Sequence, residues 1–406
     1  MCGGAAGRLV YGREGMVMTV ELFDLAQRLY AASTGWPVAR LDHAPMVSVR
    51  RPVAVRAWRA NRQITVSAAI PDLPVTTASG REALDLLYGM GVRMSADSWM
   101  TLVTDDEATL PLLLKLADSN NGDAEYEDTA AHIAWWGERS DFPGSSAVAP
   151  LVSLCRNRWV TGETPQAERS AQTWRRWLRV PGEDCSTLLD VLALVSAGHP
   201  LPGLESAATD DGWSWSFAQR EYADGQDWRG PDSVSRAASG LRARCDAADL
   251  FDAALLADPL WCRRAIHTGH VTSGHVVLGL QGAPASAVGV VCDRFATRLR
   301  AGNAVVGWAG EADGRQTEDR FSGTLLDTMV VGGELVLVLS VAAARRPAAG
   351  ARVTVGAAPP KAEAKKAGLT RYRRLYRSGR SWLARGRKPV TTRRDVPLDV
   401  FLAASE

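Results

Sequence analysis

Lysine is nearly missing from this chain. Only five of 406 residues are lysine. Four of them, Lys361, Lys365, Lys366 and Lys388, lie in one stretch near the C-terminus, and the fifth is Lys115. Elsewhere the positive charge is arginine, in a background rich in alanine and glycine that fits GC-rich coding. Such a background would not gather the lysines in one place. Positive charge itself is therefore the local requirement there.

Other absences exclude whole kinds of chemistry. No stretch resembles the ~18 consecutive apolar residues of a membrane-spanning helix. There is no GxxxxGK[ST], which rules out an ordinary P-loop ATPase, and there is no GxSxG, no HExxH and no GxGxxG after a strand pattern. The six cysteines, at 2, 155, 185, 245, 262 and 292, include no CxxC pair. That spacing predicts reduced thiols in a cytoplasmic protein, not a disulfide framework. The opening residues MCGGAAGRLVYGREGMVM lack a continuous apolar core, so no signal peptide is expected. Residues 1–18 read as a flexible extension, with Met16 or Met18 as an alternative start.

What is present is uneven in charge. Residues 361–395 hold thirteen lysines and arginines against two acids, Glu363 and Asp395, a net charge of +11. The whole chain is only +2, which leaves residues 1–360 at −7. An acidic body that ends in a basic, aromatic-dotted arm points to an anionic polymer as partner. Composition is otherwise that of a globular protein, with 46% hydrophobic and 23% charged residues. The length exceeds one ordinary core and predicts two or three domains. Fourteen tryptophans are expected to be core or interface anchors.

Patterning divides the body into three. Residues 19–150 predict an α+β domain. A helix over 19–32 precedes a hairpin of Val53–Ala57 with Ile64–Ala68, turning at Ala60-Asn61-Arg62. Ser79-Gly80-Arg81-Glu82 reads as a capping box, and Trp99–Val103 as a strand. Asp105, Asp106 and Glu107 suit the first turn of the next helix. Residues 151–270 are expected to be mainly helical, with helices at 165–178, 186–197 and 242–256 and a long polar loop over 203–236. From 271 to 360 the period becomes two. Candidate strands are 276–280, 287–291, 295–299, 304–308, 324–331, 334–342 and 352–357, with a tight turn at Gly332-Gly333. The fold class expected is multidomain α+β, ending in an antiparallel β-barrel or sandwich of OB- or SH3-like kind. Residues 361–406 follow as a basic helical arm.

The candidate nucleic-acid-binding residues sit mostly in that arm. Over Thr370–Ser378, Tyr372, Leu375 and Tyr376 share one helical face, and Arg371, Arg373, Arg374 and Arg377 cover the rest. Lys365 and Lys366 precede them; Arg380, Trp382, Arg385, Arg387 and Lys388 follow. Guanidinium groups bind phosphates bidentately, and aromatic rings give stacking platforms to unpaired bases. A docked amphipathic helix with solvated charges is the bland alternative. Arg175, Arg176 and Arg179 form a second basic-aromatic patch beside Trp174 and Trp177, where core packing also explains the tryptophans.

One cluster has metal-ligating residue types: Cys262, His267, His270 and His275 could nominally supply four N/S ligands to zinc. Their spacing matches no zinc module. Glu127, Asp128 and His132 share a helix face, and Gly279-Leu280-Gln281-Gly282 has the outline of a backbone clamp, although it lies between strands.

The function expected from this pattern is nucleic-acid binding, DNA or RNA, by a non-catalytic subunit of a larger nucleoprotein assembly. No cofactor and no membrane insertion are expected, and protein partners are. Two alternatives remain open. One is a metal-dependent nuclease or other metalloenzyme, with zinc at the 262–275 cluster or Mg²⁺ at scattered carboxylates. The other is a structural scaffold whose basic arm binds an acidic protein.

Overall fold

The computed structural model describes residues 24–46, 49–119, 123–226, 228, 234–284, 286–311 and 320–358. The expected N-terminal extension and the basic arm lie outside them. The described chain is mixed α and β, with three sheets.

The first helix, α1, is described over 24–34. After it, β1 (Val38–Ala39) pairs with a distant β7 (Trp159–Val160). The central feature of the N-terminal part is a five-stranded sheet. It comprises β2 (Val53–Ala60), β3 (Gln63–Ala69), β4 (Thr76–Ser79), β5 (Leu102–Thr104) and β6 (Val148–Pro150), in the order β4-β3-β2-β5-β6. The first three strands are antiparallel; β5 runs parallel to β2, and β6 parallel to β5.

Alternation along the strands explains how both faces are buried. Val53, Val55, Ala57, Val66 and Ala68 point into one core, together with helices α2 (Arg81–Gly89), α3 (Thr109–Asp118) and α4 (Glu127–Arg139). Ala54, Ala69, Val103 and Ala149 point the other way, against α5 (Leu151–Arg158), α6 (Ala171–Leu178) and α7 (Thr187–Val195). The expected break at residue 150 is therefore not a break in the core. The helices of 151–195 cover the second face of the sheet, because parallel strands must be buried on both sides.

Two local expectations need correction. Ser79 does not cap α2; its hydroxyl pairs with Thr65 across the sheet, 2.8 Å away, and the cap position is Gly80. The polar stretch over 203–236 is not a long loop. It contains α8 (Glu205–Ala223) and the start of α9 (Val234–Leu255). The first half of α9, through Asp246, belongs to a unit separate from the rest, and within it Arg242 pairs with Asp246 one turn on, at 2.6 Å.

Asp258 connects the next helix, α10 (Pro259–Thr268), to the N-terminal part. One carboxylate oxygen accepts from Leu260 N and Trp261 N and so caps α10. The other accepts from Asp42 N and His43 N and faces His43 Nδ1 at 2.9 Å. Arg264 on α10 also bonds Asp24 on α1, at 2.8 Å.

The C-terminal sheet consists of β8 (Val271–Leu278), β9 (Ala287–Cys292), β10 (Ala304–Ala309), β11 (Arg320–Val331), β12 (Glu334–Val341) and β13 (Arg352–Ala357). All pairings are antiparallel, and they close on themselves in the order β10-β11-β12-β9-β8-β13. Val288, Val290, Leu325, Leu337, Leu339 and Val355 fill the interior. The β11–β12 turn at Gly332-Gly333 has φ of 60° and 86°, the positive values that a two-residue primed hairpin requires. The expected strand at 295–299 is absent: Phe295–Leu299 belongs to the connection from β9 to β10.

Candidate nucleic-acid interface

Two places in the described fold could carry chemistry or binding. The first is the carboxyl end of the parallel strands. In open sheets of this kind, ligands sit where neighbouring strands send their connections in opposite directions. Here that point lies between β2 and β5. It is occupied by an ion pair. Arg56 of β2 donates from Nε to Asp105 Oδ1 at 3.1 Å, and from Nη2 to Oδ2 at 2.6 Å. Arg56 Nη1 also donates to the carbonyl of Glu183, in the loop before α7. Asp106, the neighbouring acid, is used as a cap. It accepts from Ala108 N, Thr109 N and Thr109 Oγ1 at the start of α3. Neither carboxylate is left as a free ligand for a divalent cation.

The thiols around this sheet are equally quiet. Cys155 and Cys185 are buried, and burial pushes each thiol up to about 12, far from the thiolate that a nucleophile needs.

The second place is the end of the barrel where α10, β8 and the 293–303 connection meet. The suspected metal ligands lie here but do not act together. Among the described residues, no group of three or more His, Cys, Asp or Glu is arranged to hold a metal ion. Cys262 is buried with Val271 and Trp308, under the contact of α10 with the barrel. His275 stands exposed on β8, opposite Arg352 on β13. The other two histidines each receive a guanidinium. Arg294 Nη1 lies 3.1 Å from His267 Nδ1, and Arg298 Nη1 lies 3.3 Å from His270 Nε2. Arginine can only donate, so both imidazoles accept and are neutral. His270 then donates from Nδ1 to Thr268 Oγ1, at 2.8 Å. Burial, and then the neighbouring arginine, lowers the pKa of each histidine. A metal ion on these nitrogens would have to sit against a guanidinium.

The connection that supplies these arginines is firmly held. At its start Asp293 accepts two bonds from Arg352, at 2.8 and 2.7 Å, and Glu311 holds the same guanidinium from the other side. Arg298 N donates to Gly269 O at 2.7 Å, and Arg300 N to Asn303 Oδ1 at 2.7 Å. Leu299 is buried in the barrel core. Gly269 ends α10 with φ of 75°, and a Cβ there would come within 3.2 Å of Ala296 O. The connection therefore packs directly on the helix end. Arg294, Phe295, Arg298 and Arg300 remain exposed on it.

Beside this connection is a cleft of roughly 330 Å³. Leu256, Trp261 and Leu299 give it an apolar lining; Asp249 and Asp252 stand on the α9 side, and His270 and Arg298 are also in its wall. Ala358, where the described chain ends, lines it too.

Of the residues singled out in sequence, Arg175, Arg176 and Arg179 have local partners. Arg175 bonds Gly182 O, Arg176 pairs with Glu163, and Arg179 lies 3.7 Å from the ring centroid of Trp36. Lys365, Lys366, Arg371, Tyr372, Arg373, Arg374, Tyr376, Arg377, Arg380, Trp382, Arg385, Arg387 and Lys388 all lie outside the described residues. His132 is not on a surface face. It is fully buried against Trp135, Trp136 and Trp215, with Nδ1 donating to Arg93 O. The 293–303 connection escaped the sequence reading because Phe295, Thr297 and Leu299 alternate like a strand. Its signal was the set of arginines at 294, 298 and 300 around a phenylalanine. Comparison with protein-family models, curated proteins and solved structures finds no match to this chain.

Proposed function

We propose that this protein binds nucleic acid, as a non-catalytic component of a larger nucleoprotein assembly. The observation that carries the reading is the segregation of charge: +11 over residues 361–395 against −7 over residues 1–360. In the described fold the chain reaches Ala358, three residues before Lys361, directly from a six-stranded antiparallel sheet. A basic arm supplies sequence-independent affinity through phosphates, and a neighbouring β-domain supplies what discrimination there is.

The test is a polarisation panel of single- and double-stranded DNA and RNA, at two salt concentrations. Binding of at least one of these polymers, weakened by salt, is expected. Retention of a protein partner after nuclease treatment, with no binding of any polymer, would favour the scaffold reading instead.

A further inference from the structure

We infer that the 293–303 connection is a second nucleic-acid contact, one that takes single strands, with Phe295 as a stacking platform and Arg294, Arg298 and Arg300 as phosphate contacts. This rests on the nucleic-acid reading above but uses residues outside the arm. Phe295 is 59% exposed and is flanked on the same connection by the exposed Arg294 and Arg298. Exposure alone says little, since exposed apolar side chains are common; what distinguishes this ring is its fixed base and its arginine neighbours.

The ring is not exposed by looseness. Arg352 fixes the connection just before it, and the buried Leu299 and the Arg298–Gly269 bond fix it just after. An aromatic face presented on a rigid base, flanked by guanidiniums, is the arrangement that single-strand binders use. Duplex gives no such opportunity, because its base faces are already stacked. The neutral state of His267 and His270 means that the positive charge here is that of the arginines. The carboxylates within reach bear on where phosphates can run. Asp293 and Glu311 share the single charge of Arg352, so one net negative charge remains at the start of the connection, and Asp252 lines the cleft with Arg298. The phosphate contacts are therefore assigned to the exposed sides of Arg294, Arg298 and Arg300, whose guanidiniums are oriented by His267, by His270 and by the carbonyls of Thr297 and Leu299 in turn.

The test uses the full chain and two variants, Phe295→Ala and the triple Arg294→Ala/Arg298→Ala/Arg300→Ala. Probes are oligothymidylate and oligouridylate of about 20 nucleotides, and a duplex of the same length, enough to cover one single-strand site. Because stacking of one base is worth about 1–3 kcal/mol, Phe295→Ala should weaken single-strand binding at least about fivefold. Duplex binding should change by less than about twofold. The triple variant should lower the single-strand salt slope by about 2, for three phosphates at ~0.7 each. The two single-stranded probes separate DNA from RNA as the source of the strand. Circular dichroism matching the unsubstituted chain checks folding, and Phe295, being exposed, is safe to truncate. Loop variants that bind single strands like the unsubstituted chain would overturn this inference and leave the arm's role intact. An unsubstituted chain that binds none of the probes would overturn both readings.

Discussion

At the residue scale, the most consequential side chains are polar ones in the core. His132 is buried among three tryptophans, and burial lowers its pKa to about 3. The unfolded chain takes up a proton on this histidine below about 6.5, and the folded chain does not until about 3. Stability attributable to His132 should therefore fall as pH drops from about 6.5, by up to about 1.4 kcal/mol per unit, and level off near 3. His132→Asn keeps a donor for Arg93 O and removes the titration, so its acid limb should be flatter in denaturation measured from pH 7 to pH 4. Asp211 is the second case. Its two oxygens accept from Arg139, from the hydroxyl of Ser145, and from both N–H and hydroxyl of Ser146. Asp211→Ala would leave the buried Arg139 unpaired and should cost about 3–5 kcal/mol in urea denaturation. These residues also show why α8 was not legible in the sequence. Its buried positions, Ala207, Asp211 and Trp215, have helical spacing, but the middle one is an acid that hydrophobic periodicity cannot register. Without α8, nothing in the sequence pattern covers α4 or buries the face that carries His132.

At the element scale, what could be read was what depended on neighbours in sequence. The β2–β3 hairpin and the Gly332-Gly333 turn follow from alternation and from positive φ, which are local properties. The α10 start went unread: Asp258-Pro259 reads only as a helix break, yet Asp258 caps a new helix. What could not be read depended on distant chain. Ser79 is a good N-cap residue, yet a threonine on β3 takes its hydroxyl. Asp105 looks like part of a helix start, yet Arg56, 49 residues away, takes it across the sheet. That pair is also testable. With side chains only 20% and 9% exposed, Arg56→Ala should destabilise the fold by about 2–3 kcal/mol, somewhat below a fully buried pair. In a double-mutant cycle with Asp105→Ala, the two losses should be clearly less than additive. Additive losses would mean that the pair does not hold the β2–β5 position closed. The 293–303 connection, the proposed single-strand contact, was hidden for the same reason. Its apolar alternation is real, but β10 pairs with β11 and β13, leaving these residues no place in the sheet.

At the scale of the whole molecule, the governing feature is that opposite charges are kept in different parts of the chain. The described residues of the acidic part pack into a core on each face of one mixed sheet, another inside the barrel, and two smaller clusters around α9 and α10. The basic part follows the last barrel strand. If affinity comes chiefly from that arm, binding should behave as counterion release. The decisive measurement is the salt dependence of nucleic-acid affinity, for the full chain and for a chain ending at residue 360. With about six phosphates neutralised, the full chain should lose single-strand affinity with a slope near −4 in log–log form, and the shortened chain should show a slope nearer −2 with weaker binding throughout. A salt-insensitive affinity, or one that the truncation leaves unchanged, would contradict a nucleic-acid role for the arm.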